Sequence, residues 1–195
     1  MLTRKEKAVL RLLMGAFDSV YSINQIAKEC NLAPNGALKI LRKFGREGIL
    51  ESKDIANIKS YRINFDNEKT SIVLELVLMS ELEGRLKHRM DDLKELKEVS
   101  KCCILFGSYI NLRKEPHDLD VLFVVDKENY RGYKRRLSAV KDIIPVKVHD
   151  VVQTEEDLVE NIKKGDNVIL EIIRKGIILW GQRIIVGVIK DAYKR

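Results

Sequence analysis

Three cysteines, three prolines and one tryptophan are all that this 195-residue chain carries of the residues that staple, stiffen or anchor unusual architectures. Cys30 stands alone and Cys102 and Cys103 are adjacent, so no spacing suggests a disulfide framework or a zinc site. They read as small packing residues of a reducing, cytoplasmic compartment. Long apolar runs are also missing. Residues 184–189 form one of the longest and contain Gly187, far short of the roughly 20 residues that span a bilayer. No leader pattern, internal repeat or low-complexity tract stands out. Collagenous, membrane-spanning and disulfide-scaffold classes are thereby set aside. What remains is 45% hydrophobic and 33% charged, a balance that supports packed cores under a solvated surface.

Acidic residues are scarce where basic ones gather. Residues 1–66 hold 12 Lys or Arg against 7 Asp or Glu, so most of the overall +7 charge lies in the first third. Such a concentration suits an acidic partner, with nucleic acid the leading candidate. The chain length allows two small domains.

The pattern within 1–66 agrees. Residues 4–14 carry Ala8, Val9, Leu12 and Leu13 at helical spacing, and residues 22–30 carry Ile23, Ile26 and Ala27 behind Ser22 as a cap. A turn at Asn31 and Leu32 leads to a third helix with Pro34 in its first turn. Leu38, Leu41 and either Phe44 or Ile49 would face the core. Asn35, Lys39, Arg42, Lys43 and Arg46 would then be left for phosphates or base edges. After Gly48 come two strand-like pieces, 49–53 and 60–65. Three helices followed by a β-hairpin resemble a winged helix-turn-helix domain over 1–66. That resemblance implies double-stranded DNA as partner, Asn35 and Lys39 at base edges, and Lys53, Lys59 and Arg62 of the wing on the backbone.

Residues 67–98 are charged yet helical, with Ile72, Leu76, Met79, Leu86, Met90 and Leu93 on one stripe that Glu83 interrupts. The pattern fits a connector helix docking one domain on another, and equally a helix that pairs in a homodimer.

The most specific chemistry lies in residues 102–126. The apolar run from Cys102 to Phe106 reads as a buried strand closing at Gly107-Ser108. A glycine there admits close approach of phosphate, to which the following amides and the Ser108 hydroxyl can donate. A second strand begins at Asp118-Leu119-Asp120. Alternation puts Asp118 and Asp120 on one face, where two carboxylates repel unless a cation joins them. Hard oxygen donors favour Mg²⁺ carried with nucleotide phosphates. On the next strand, residues 145–152, Asp150 interrupts an apolar row. A one-residue slip would present His149 instead.

At Phe106-Gly107-Ser108, nine intervening residues and Asp118-Leu119-Asp120, the chain resembles the minimal nucleotidyltransferase domains of the DNA polymerase β superfamily, over residues 99–195. The resemblance implies a mixed sheet flanked by helices, making the whole chain α+β. It implies a nucleoside triphosphate with Mg²⁺ as cofactors, Gly107 and Ser108 as nucleotide-binding residues, and Asp118 and Asp120 as metal ligands. Asp150 would be the third catalytic carboxylate, with His149 as runner-up. The expected reaction is transfer of a nucleoside monophosphate with release of pyrophosphate. Two family positions depart from the pattern, an Arg after Gly-Ser and a Ser before Asp-x-Asp, which here correspond to Asn111 and His117. The helix expected over 130–140 carries Arg131, Lys134, Arg135 and Arg136. A cap at Thr154, a helix ending at Gly176 and a hydrophobic piece to Gly181 complete the expected domain. Three functions follow. The chain is a DNA-binding regulator with a nucleotide-responsive domain, a transferase that modifies a protein or RNA partner as in toxin–antitoxin pairs, or a regulator with a dead transferase scaffold.

Overall fold

A computed structural model of the chain describes residues 1–16, 21–55, 58–82, 86–110 and 118–193. It is a mixed α+β protein of two compact units, Met1–Val77 and Leu78–Arg195.

In the first unit, helix α1 (Arg4–Met14) begins at a reciprocal cap in which Glu6 N–H donates to Thr3 Oγ1 while Thr3 N–H donates to Glu6. Its buried face is Val9, Leu10, Leu13 and Met14, with Ala8 and Leu12 only half-buried. The expected face is thus turned toward Leu10 and Met14, since α1 packs on α2 (Ile23–Glu29), α3 (Pro34–Arg46) and a β-strand together. Ser22 and Gln25 cap α2 reciprocally, and Pro34 opens α3 as expected. Strands β1 (Leu50–Ile55) and β2 (Ile58–Ile63) form an antiparallel hairpin whose register pairs Leu50 with Ile63 and Glu51 with Arg62.

Residues 67–98 do not form one connector helix. Helix α4 (Glu68–Met79) ends before α5 (Leu86–Asp92) begins, and a 3₁₀ turn, Lys94–Glu98, follows. On α4 the buried residues are Thr70, Leu74, Val77 and Leu78, whereas Ile72, Leu76 and Met79 of the expected stripe are exposed. Leu93 is fully buried, and Met90 packs against the core of the second unit. Glu83 lies outside the described residues.

The second unit is built on a four-stranded sheet in the order β5-β4-β3-β6. The strands are β3 (Cys102–Phe106), β4 (Asp118–Val124), β5 (Lys147–Gln153) and β6 (Ile177–Trp180). β3 runs antiparallel to β4 and β6, and β4 is parallel to β5, with α6 (Tyr130–Ile143) as the crossover. Cys103, Leu105, Leu119, Val121, Phe123 and Val148 pack with Tyr133, Leu137 and Val140 of α6. The opposite face carries Cys102, Ile104, Leu122 and Val124, all buried. On that side lie α8 (Asn167–Lys175) and α9 (Gln182–Tyr193), both in contact with β3; α9 also packs on α7 (Glu155–Lys164). The expected Thr154 cap forms, reciprocally with Asp157. Gly181 has φ +83°, and a Cβ there would come within 2.3 Å of the Lys101 carbonyl, so the chain's return beside β3 depends on its lack of a side chain. Among the described residues no helix is long and apolar enough to cross a membrane.

Candidate functional site

β3 ends at Phe106, whose ladder partner is Asp120. Gly107 then turns the backbone with φ +70° into a short 3₁₀ turn, Gly107–Ile110, instead of continuing the strand. That φ is one that L side chains rarely adopt. Space is the second constraint, because a Cβ on Gly107 would lie 2.2 Å from Asp120 Oδ2. The absent side chain lets a carboxylate rest against the backbone of the Gly-Ser turn. Tyr109 anchors the turn in the core, and its hydroxyl accepts from Arg89 Nε at 2.5 Å while Arg89 also pairs with Asp92.

Asp118 and Asp120 alternate with buried Leu119 and Val121, so both point away from α6. The parallel register sets Asp120 beside His149, and His149 Nδ1 lies 3.3 Å from Asp120 Oδ1. Asp118 is registered with exposed Lys147. Asp120 is partly exposed, with 26% of its side chain open to solvent.

Asp150 is not brought to this group. It pairs in register with Val121 and points to the α6 side, where its carboxylate accepts from Lys141 Nζ at 2.7 Å, Lys134 Nζ at 3.1 Å and the Tyr133 hydroxyl at 3.2 Å. Burial alone would raise its pKa, but Lys141 and Lys134 hold it below the ordinary carboxylate value. Burial, reinforced by Asp150, pushes the Tyr133 phenol well up. Asp150 therefore fastens α6 to β5, and the residue of β5 that stands beside Asp120 is His149. The register made the choice, since adjacent residues of a strand point to opposite faces.

A pocket of about 630 Å³ opens at the Gly-Ser turn. Phe106, Gly107, Ser108 and Ile110 form one wall; Val168, Glu171, Ile172 and Lys175, one face of α8, form the other. On α8, Ile169, Ile172 and Ile173 are buried, whereas Val168 is 62% exposed. The face of α8 on this pocket was not legible as a site, and its signal is the helical spacing of Val168, Glu171, Ile172 and Lys175.

Whether this site suits Mg²⁺ depends on its donors. Among the described residues no three His, Cys, Asp or Glu side chains converge as a metal cluster. Asp118 and Asp120, two carboxylates on one face beside the Gly-Ser turn, fit an ion that takes one or two protein carboxylates and completes its shell with phosphate oxygens and water. Asn111, Arg113, Lys114, Pro116 and His117 lie outside the described residues.

In the first unit, Asn35, Lys39, Arg42 and Arg46 are all exposed and recur at steps of four, three and four residues, a single stripe along α3. Lys43 is diverted from it. Its Nζ donates to the buried Glu6 of α1 at 2.6 Å, a use that the sequence pattern did not reveal. Burial would raise the Glu6 pKa, yet Lys43 and Thr3 hold it down. In the hairpin, Lys53 and Arg62 share the outward face, and Arg62 pairs with Glu51 at 2.5 Å. Lys59 is on the other face, where it lines a groove of about 440 Å³ with Ser22, Asn24, Pro34, Asn35 and Leu38.

No family model matches the chain, and no curated protein matches it. Two mutant structures of Lactococcus lactis ZitR are among those it is similar to. One has 16% identity and a TM-score of 0.33, covering 73% of this chain and 75% of that one. The other has 17% identity and a TM-score of 0.32, covering 72% and 74%. Likenesses of this degree carry no argument about function.

Proposed function

We propose that the chain is a DNA-binding transcriptional regulator. In this reading Met1–Val77 acts as a winged helix-turn-helix, and Leu78–Arg195 binds a nucleoside triphosphate with Mg²⁺ as nucleotidyltransferase-type domains do. The observation that carries the nucleotide half is the seat of Asp120 against Gly107, with a pocket opening at the same turn. Ser108 and the turn amides cradle phosphate, and Asp118 and Asp120 hold the ion. Mg²⁺, when bound, neutralises phosphate charge. The DNA half rests on the exposed stripe of Asn35, Lys39, Arg42 and Arg46 and on Lys59 beside it. Asn35 and Lys39 read base edges, Arg42 and Arg46 hold phosphates, and Lys53 and Arg62 of the hairpin add backbone contacts.

His149 supports a second reading, transfer of a nucleoside monophosphate to a protein or RNA acceptor. In this reading the imidazole, 3.3 Å from Asp120, takes a proton from an attacking hydroxyl. The hydroxyl oxygen then bonds to the α-phosphorus as the bond to pyrophosphate breaks. Incubation with labelled ATP, CTP, GTP or UTP and Mg²⁺ separates the readings. Label retained reversibly and lost in Asp120→Asn supports the regulator with a nucleotide-responsive domain, covalent label lost in both Asp120→Asn and His149→Gln supports the transferase, and no retention from any nucleotide leaves a dead scaffold. A duplex-DNA shift at low ionic strength tests the first unit, and its absence there overturns the regulator reading.

A further inference from the structure

The face of α8 on the pocket has a composition that the phosphate cradle does not explain. Val168 and Ile172, one turn apart, line the pocket together with Phe106 and Ile110, apolar surfaces suited to a flat ring. Val168 is 62% exposed, although its helix neighbours Ile169 and Ile172 are buried. At the rim, Lys175 Nζ and Glu171 Oε1 lie 2.9 Å apart, a cationic donor and an anionic acceptor side by side. Both side chains are about two-thirds open to solvent, so neither is committed to the core.

We infer that this pocket is the nucleobase subsite and that Glu171 and Lys175 select guanine; the inference rests on the nucleotide-binding reading above. A guanine edge offers an acceptor oxygen, O6, followed by two N–H donors, N1–H and the 2-amino group. Lys175 donates to O6, and the Glu171 carboxylate accepts from both donors, a two-point, charge-assisted contact. Adenine and cytosine each bring one amino group beside an acceptor nitrogen, and so give the carboxylate one hydrogen bond. Uracil brings one N–H. A site that pairs a donor edge discriminates against bases that leave the carboxylate partly unpaired. The rim is solvated, which limits the preference to about tenfold. The triphosphate then runs to the Gly107-Ser108 turn, which lines the same pocket.

The test is calorimetric titration of the full chain, with Mg²⁺, using GTP, ATP, CTP and UTP separately. GTP should bind about tenfold more tightly than the others. Glu171→Gln should erase that preference by weakening GTP about tenfold more than ATP, with thermal unfolding unchanged, and Lys175→Met should weaken GTP more than ATP. Equal affinity for all four nucleotides, or a GTP preference that survives Glu171→Gln, overturns the guanine assignment and leaves the nucleotide-binding reading standing. No binding by any nucleotide overturns both. Asp120→Asn distinguishes the parts, because it should lower affinity for all four bases alike.

Discussion

Asp120 rests its carboxylate on the backbone of Gly107, at a distance that leaves no room for even a methyl group between them. Two segments separated in sequence thus meet in one small feature, a left-handed glycine after β3 and an acid near the start of β4. Gly107→Ala should force Asp120 aside as well as straining the turn, costing about 1–2 kcal/mol of stability. Nucleotide affinity should fall at least tenfold. Urea unfolding and calorimetric titration of the same variant measure the two effects.

Gly181 makes a purely structural counterpart. Its added Cβ would meet the backbone of Lys101 and Cys102, which cannot swing away as a carboxylate can. Gly181→Ala should destabilise the chain by about 2–3 kcal/mol, read from chemical denaturation.

Asp150 should behave as a fastener. Asp150→Asn is expected to cost about 1 kcal/mol near pH 7, a value kept small because Lys134 and Lys141 are partly solvated. Its pKa in the folded chain lies below the ordinary 3.8, so the stabilisation is present above that pH. It is lost as pH falls through the lowered folded value, where both states are protonated. Denaturation curves of the native chain and the variant should therefore converge in acid, and nucleotide binding at pH 7 should be unaltered.

The strands Cys102–Phe106 and Asp118–Val124 were legible because short β-rich apolar runs end at a Gly-Ser turn and begin at an acid pair. Thr154 was legible because a capping side chain precedes three acids in the first turn. The side of the sheet on which Asp150 falls was not. Alternation separates His149 from Asp150 but leaves open which faces Asp120, and that depends on the non-local register between β4 and β5. The diversion of Lys43 to Glu6 was hidden for a similar reason, since a pair 37 residues apart has no local signature. The break between α4 and α5 was not legible either, because one heptad spacing runs through Ile72, Leu76 and Met79, exposed on α4, and on into a separate element, while Leu74, Val77 and Leu78 are the buried residues of α4.

On α3, neighbouring cations should separate by function. Arg42→Ala and Arg46→Ala should each reduce the salt dependence of duplex binding by about one phosphate contact, a change of about 0.9 in the log–log slope. Lys43→Ala should leave that slope nearly unchanged and lower the urea midpoint, because Glu6 loses its cation inside the unit. Binding isotherms at four or five salt concentrations distinguish the two behaviours.

Binding of a nucleotide with Mg²⁺ by the acid pair beside the Gly-Ser turn can be read by equilibrium dialysis of labelled nucleoside triphosphates against the native chain, Asp118→Asn, Asp120→Asn and Asp150→Asn, with and without Mg²⁺. Saturable, Mg²⁺-dependent binding is expected, weakened at least tenfold by Asp118→Asn and by Asp120→Asn and left intact by Asp150→Asn. Equal binding by all four proteins, or none by the native chain at millimolar nucleotide, would contradict it.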